Sequence, residues 1–283
     1  QDYHVNCSPV EQSVIRKTML AIAQIEVSVK TFWADIYSRL PVPEIGAIGM
    51  TFAESEVRHL DAYSHLLELL GLNEAFEEIE EIPAIADRIA YLKESLRGTQ
   101  SADDREYAHS ILLFSIFIEH VSLFSQFLIM LSFDKHEKKF KGVANAVEAT
   151  SKEEQIHGLF GVELIRTIRE EHPEWFGPGF EREVQNACRQ AYRAETKVLD
   201  WIFSEGELDF LPRDVVDAFL RDKFNESLEN VDVPPLFSVD EDKLAETRWF
   251  YEDILLTKGN DFFSKRGTNY SKMTQSVSGD DLF

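Results

Sequence analysis

Glu56 and His59 stand three residues apart in the stretch Glu-Ser-Glu-Val-Arg-His-Leu-Asp-Ala-Tyr that ends at Tyr63. On a helix, positions three and four apart are neighbours, so Glu56, His59 and Tyr63 share one face. Glu154 and His157 repeat the spacing later in the chain. A Glu-x-x-His pair on each of two helices, completed by one Glu from each of two more, is the donor set of a dinuclear metal centre inside a helical bundle. Glu119 and Glu26 are the candidates for the two single carboxylates. Glu119 lies in the most apolar stretch of the chain, Ile111 to Phe133, and Glu26 interrupts an apolar stripe that includes Ile15, Met19, Ile22, Val29 and Trp33. A buried carboxylate without a partner is costly, and a metal ion is one partner that removes the cost.

Spacing alone does not decide the matter. With 32 Glu and 8 His, about one Glu-x-x-His is expected by chance, and an isolated motif needs a supporting structural context. Three occur, and the third, Glu106/His109, precedes Glu119 on the same predicted helix by ten or more residues. That is about 15 Å along the axis, so it is assigned to the surface or to packing. The oxygen-rich donor set suits iron or manganese better than zinc. Tyr63 reads either as a core tyrosine with a satisfied hydroxyl or as a neighbour of the metals that could be oxidised to a radical. Asp61 and Glu153 read either as surface acids or as hydrogen-bond partners that orient a ligand imidazole.

These side chains need helices to carry them. Ser8-Pro9 starts a long helix predicted over about 9–38, which Pro41-Val-Pro43 ends. A second runs over about 44–70 and stops at Gly71. Residues 73–83 read as a loop or short turn, 84–97 as a modest helix, and 102 to about 132 as the third long helix. The segment 134–141 reads as a turn and a helix start, followed by the fourth long helix over about 143–171. Further helices are predicted over 180–205, 212–229 and, more weakly, 239–256. The chain shows no strand alternation, no glycine-rich phosphate loop and no internal repeat, so an all-α bundle is expected. Residues 259–283 are polar and read as a flexible tail.

Composition bounds the partners. The chain has 283 residues, a net charge of −22 and 44% hydrophobic residues. Such acidity argues against nucleic acid and against anionic membranes as partners. The apolar run 111–133 is long enough to cross a bilayer, but Glu119 and His120 sit near its middle, so it is read as a buried helix of a soluble protein. Two distant cysteines, Cys7 and Cys188, and no secretory signal fit a reducing, cytoplasmic setting. An opening at Gln1 rather than Met leaves room for residues upstream.

Phe52-Ala-Glu-Ser-Glu-Val-Arg-His-Leu-Asp-Ala-Tyr63, Phe117-Ile-Glu119 and Ser151-Lys-Glu-Glu-Gln-Ile-His157 together resemble the radical-generating small subunit of class I ribonucleotide reductase. The resemblance extends from about residue 8 to the tail at 262–272. It implies a ferritin-like bundle with extra flanking helices over 1–258 and a C-terminal tail over 259–283 that docks on a large subunit. It implies six ligands, Glu26, Glu56, His59, Glu119, Glu154 and His157, for two ions of manganese and/or iron. It implies Tyr63 as the radical tyrosine, Tyr270 as the tail tyrosine that relays the oxidising equivalent, and a homodimer. In that family the equivalent passes to a cysteine of the large subunit, where ribonucleotides become deoxyribonucleotides. The sequence departs from the family pattern at Glu26, where many members carry Asp, and at Glu153, where Asp is common. Glu119 and Glu154 are one residue further apart than in familiar members, and a tryptophan on the transfer route would precede Gln1. Two other readings use the same donors: a ferritin-like oxidase acting alone, and a metal-storage bundle.

Overall fold

The computed structural model describes residues 2–29 and 31–256. The tail 259–283, with Tyr270, lies outside the described residues. Among those described, the chain is helical without a β-strand; one isolated bridge joins Leu208 and Leu211.

Four long helical stretches form a ring. The first, Pro9–Val29, packs on the second, Pro43–Leu70, which packs on Lys141–Glu171; that helix packs on the stretch 104–137, which returns to the first. Local chemistry fixes their ends. The Ser8 hydroxyl accepts from the Glu11 amide while the Glu11 carboxylate accepts from the Ser8 amide, a reciprocal cap. Pro43 occupies the first turn of the second helix, and Gly71, at φ 70°, closes it by donating its amide to the Glu68 carbonyl.

The first predicted helix is in fact two. It ends at Val29, the chain turns at Thr31, and a separate helix covers Phe32–Arg39. Three β-branched residues in five, Val27, Val29 and Thr31, weaken the helix at that point. The turn lets Phe32–Arg39 fold back on the second helix. There Gly49 admits the Trp33 carbonyl and Ile36, each 2.5 Å from where a Cβ would stand. Residues 73–83 hold a short helix, Asn73–Glu77, and a 3₁₀ turn, Ile79–Glu81, seated by buried Leu72 and Ile79.

The third long helix is interrupted too. Asp104–Leu113 is α-helical, Phe114–Ser122 is π-helical, and Phe124–Glu137 is α-helical again. It runs to Glu137 rather than to 132, where left-handed Lys138 ends it. The stretch 104–137 is apolar enough to cross a membrane, but its most apolar window is wholly buried inside the bundle. The helix Lys141–Glu171 approaches the π segment closely because Gly158 and Gly161 carry no side chain. A Cβ on Gly161 would overlap the Ser115 hydroxyl and Cβ.

Gly161→Ala should therefore destabilise the fold by about 1–3 kcal/mol, the range for overpacking a tight core contact. Chemical denaturation of the metal-free protein measures it, and a variant as stable as the parent would contradict the close approach.

Candidate metal centre

The ring of helices aims six ionisable side chains at one point in the core. Glu26 comes from Pro9–Val29, Glu56 and His59 from Pro43–Leu70, Glu119 from the π segment, and Glu154 and His157 from Lys141–Glu171. All six are buried. Glu26, Glu56, His59 and Glu154 each offer an atom within 4.8 Å of the others, and so do Glu56, Glu119, Glu154 and His157. The two sets share Glu56 and Glu154. His59 Nδ1 lies 2.9 Å from Glu154 and 3.7 Å from Glu56. His157 Nδ1 lies 3.0 Å from Glu56 and 3.5 Å from both Glu119 and Glu154. Two adjacent sites with two carboxylates common to both is the geometry of a bridged pair of ions.

The donors also have the chemistry of a cation site. Both oxygens of Glu26 and of Glu56, one oxygen of Glu154, and the Nδ1 atoms of both histidines are buried without a hydrogen-bond partner. Buried polar atoms left in that state in such number call for a ligand. The residues present therefore fit two divalent ions.

The same burial shapes the electrostatics of the donors. Burial and the charge of nearby carboxylates push Glu26 and Glu119 well above the usual carboxylate range. Burial would raise Glu154 as well, but the close approach of Glu119, His157 and His59 holds it well below that range. Burial opposes charge on the imidazoles, yet Glu153 and Glu154 push His59 up strongly, and Glu119, Glu154 and Glu56 push His157 up to about 12.

A second layer orients the donors. Glu153 lies 2.8 Å from His59 Nε2, which turns Nδ1 toward the cluster, and Arg58 bridges Glu153 to Glu54. The Ser55 hydroxyl meets His157 Nε2 at 3.0 Å in the same way. The Trp33 indole donates to Glu119 Oε1 at 3.0 Å. Ser55 and Trp33 carry no signal in the sequence, since neither spacing nor composition sets them apart.

Tyr63 is buried, and its hydroxyl, near Thr150, makes no hydrogen bond. Burial and the Glu26 charge raise its pKa. Asp61 does not join this layer. It is exposed, lining a groove with Ala23, Ser64 and Phe76. Two residues from both His59 and Tyr63, it falls about 200° round the helix, on the opposite face. Glu106 and His109 line a separate cleft of about 570 Å³ with Trp175 and Phe180.

A family model described as ribonucleotide reductase, small chain, matches residues 1–244. The chain belongs to that family. A probable ribonucleoside-diphosphate reductase small subunit of Invertebrate iridescent virus 3 is 27% identical over 295 residues, covering 99% of this chain and 77% of its own. A putative class I ribonucleotide reductase from Bacillus halodurans superposes with a TM-score of 0.79 at 14% identity, over 89% of this chain and 90% of its own. The dimanganese(II)-NrdF of Streptococcus sanguinis superposes with a TM-score of 0.72 at 17% identity, over 87% and 85%. The chain is thus a ribonucleoside-diphosphate reductase small subunit, with the ferritin-like bundle of that family, rather than a storage protein or a lone oxidase. Small subunits of this family work with a large subunit.

Because Glu26, Glu119, His59 and His157 hold protons to higher pH than usual, metal ions must displace those protons to bind. Apparent manganese(II) affinity should therefore fall as pH is lowered from about 8 to about 6, with proton release on loading in weak buffer. Equal affinity across that range would show that protons and metal do not compete here.

Proposed function

We propose that Glu26, Glu56, His59, Glu119, Glu154 and His157 hold two ions of manganese and/or iron, and that this chain thereby supplies a one-electron oxidant to its large subunit. The observation that carries the reading is the sharing of Glu56 and Glu154 between two buried donor sets. When bound, the ions would supply the reaction with oxygen or a related oxidant. The rest is work for this chain's own residues.

Tyr63 is the candidate to hold the oxidising equivalent. Its buried phenol keeps its proton at any physiological pH, and burial shields a phenoxyl from solvent and from reductants. Glu153 fixes the His59 tautomer and is itself held by Arg58, whose side chain is half exposed, so a short hydrogen-bonded route joins the cluster to the surface. We assign the outward path of the oxidising equivalent to that route. The tail 259–283, with Tyr270 as relay, is the proposed docking segment for the large subunit, and the functional unit is a homodimer. Free Cys7 and Cys188 support a reducing, cytoplasmic setting.

Loading with iron or manganese followed by oxygen should give a narrow organic signal in electron paramagnetic resonance, and Tyr63→Phe should abolish it. A coupled-metal signal unaffected by Tyr63→Phe would instead leave the oxidant on the ions. Deleting the chain from Gly267 onward should abolish reductase activity with the large subunit while metal content stays the same. Retained activity would contradict the docking role.

A further inference from the structure

Arg88 lies outside the metal cluster, on the helix Pro83–Ser95, and is fully buried. All three nitrogens of its guanidinium donate hydrogen bonds. Nε and one terminal nitrogen pair with the Glu195 carboxylate at 3.0 and 2.9 Å. The other terminal nitrogen donates to the Ala21 carbonyl at 2.9 Å, and the first also reaches the Ser122 carbonyl at 2.6 Å and Gln126 at 3.2 Å. Glu195 is buried as fully as Arg88. A buried ion pair is a poor stabiliser, because an apolar pair of the same shape often serves the core as well or better. Stability alone therefore does not account for it.

What an apolar pair could not do is hold two main-chain carbonyls at once. Ala21 lies on the helix that carries Glu26. Ser122 is the last residue of the π segment that carries Glu119. Glu26 belongs to one donor set only and Glu119 to the other only, so these two carboxylates mark the outer ends of the paired site. Arg88 thus ties together the backbones that set the width of that site. It also secures the π segment. The next α-type bond runs from the Phe127 amide to the Leu123 carbonyl, and Arg88 takes the Ser122 carbonyl just before it. Were the segment to relax into α-helix, its residues would shift in register, and each residue of shift turns a side chain by about 100°. Glu119 would then leave the cluster.

We propose that Arg88, clamped by Glu195, is a positioning residue for the dimetal site: it fixes the π segment and the spacing of Glu26 from Glu119. The inference rests on the dimetal reading above. The test is anaerobic manganese(II) titration of the metal-free full chain, followed by electron paramagnetic resonance, with helicity checked by circular dichroism. Two variants are compared with the parent. Arg88→Met with Glu195→Met removes the pair without stranding a charge. Arg88→Lys keeps a charge for Glu195 but cannot fork to both carbonyls. Both should stay helical, bind the second ion at least about tenfold more weakly and lose the spin-coupled signal of a manganese pair, the size of effect seen when the partners of metal ligands are removed. Should the double variant fail to fold, Arg88→Lys decides alone. A folded variant that binds two ions with the parent's affinity and coupled signal overturns the proposal. If the parent itself binds no manganese pair, the dimetal reading fails first, and the inference falls with it.

Discussion

Four carboxylates and two imidazoles are driven into the middle of an apolar bundle, and the rest of the structure answers to that burden. In such surroundings charge is stable only if it is compensated. The protein compensates partly with protons, which Glu26, Glu119 and the two histidines hold unusually tightly, and partly with a second layer of donors and acceptors. That layer is discriminating. Trp33, Glu153 and Ser55 each engage one outward-facing atom of a cluster residue, while Glu26, Glu56, one oxygen of Glu154 and the two Nδ1 atoms stay without hydrogen-bond partners. An ordinary core would satisfy both sides. Here the imbalance is what makes the centre receptive to cations.

The scaffold achieves this with local departures from regularity. The early end of the first helix brings Trp33 back over the second. The π segment turns Glu119 inward, and glycines at 158 and 161 let the facing helix come close enough to meet it. π segments cost hydrogen-bond geometry and recur at functional sites for that reason. Buried Arg88 and Glu195 sit where that geometry is weakest.

Much of this was legible in the sequence, and the failures are instructive. Six side chains chosen by their spacing and apolar surroundings lie together, because a helix face and a buried charge both leave a linear trace. The break after Val29 left only a weak trace in Val27, Val29 and Thr31, outweighed by the apolar stripe that runs on to Trp33, and the π segment left none, since the run 111–133 is apolar at nearly every position. Of the two readings open for Asp61, the structure agrees with the surface acid, because two residues from His59 on a helix is the far side. Trp33, Ser55 and Arg88 were invisible as site residues because their roles depend on which helix lies opposite, information that only packing supplies.

The second layer also makes the two halves unlike. His59 leans on Glu153, whose side chain is 35% exposed, so water reaches to within one residue of that imidazole. His157 leans on Ser55, 4% exposed, and is walled in by Phe52 at 4.2 Å and Trp33 at 5.9 Å between ring centres. One half therefore sits in a wetter, higher-dielectric environment and the other in a dry one, although their donor atoms are nearly the same. Chemical symmetry in the ligands is broken by dielectric asymmetry around them, so the two halves of one cavity are not equivalent surroundings for a charge.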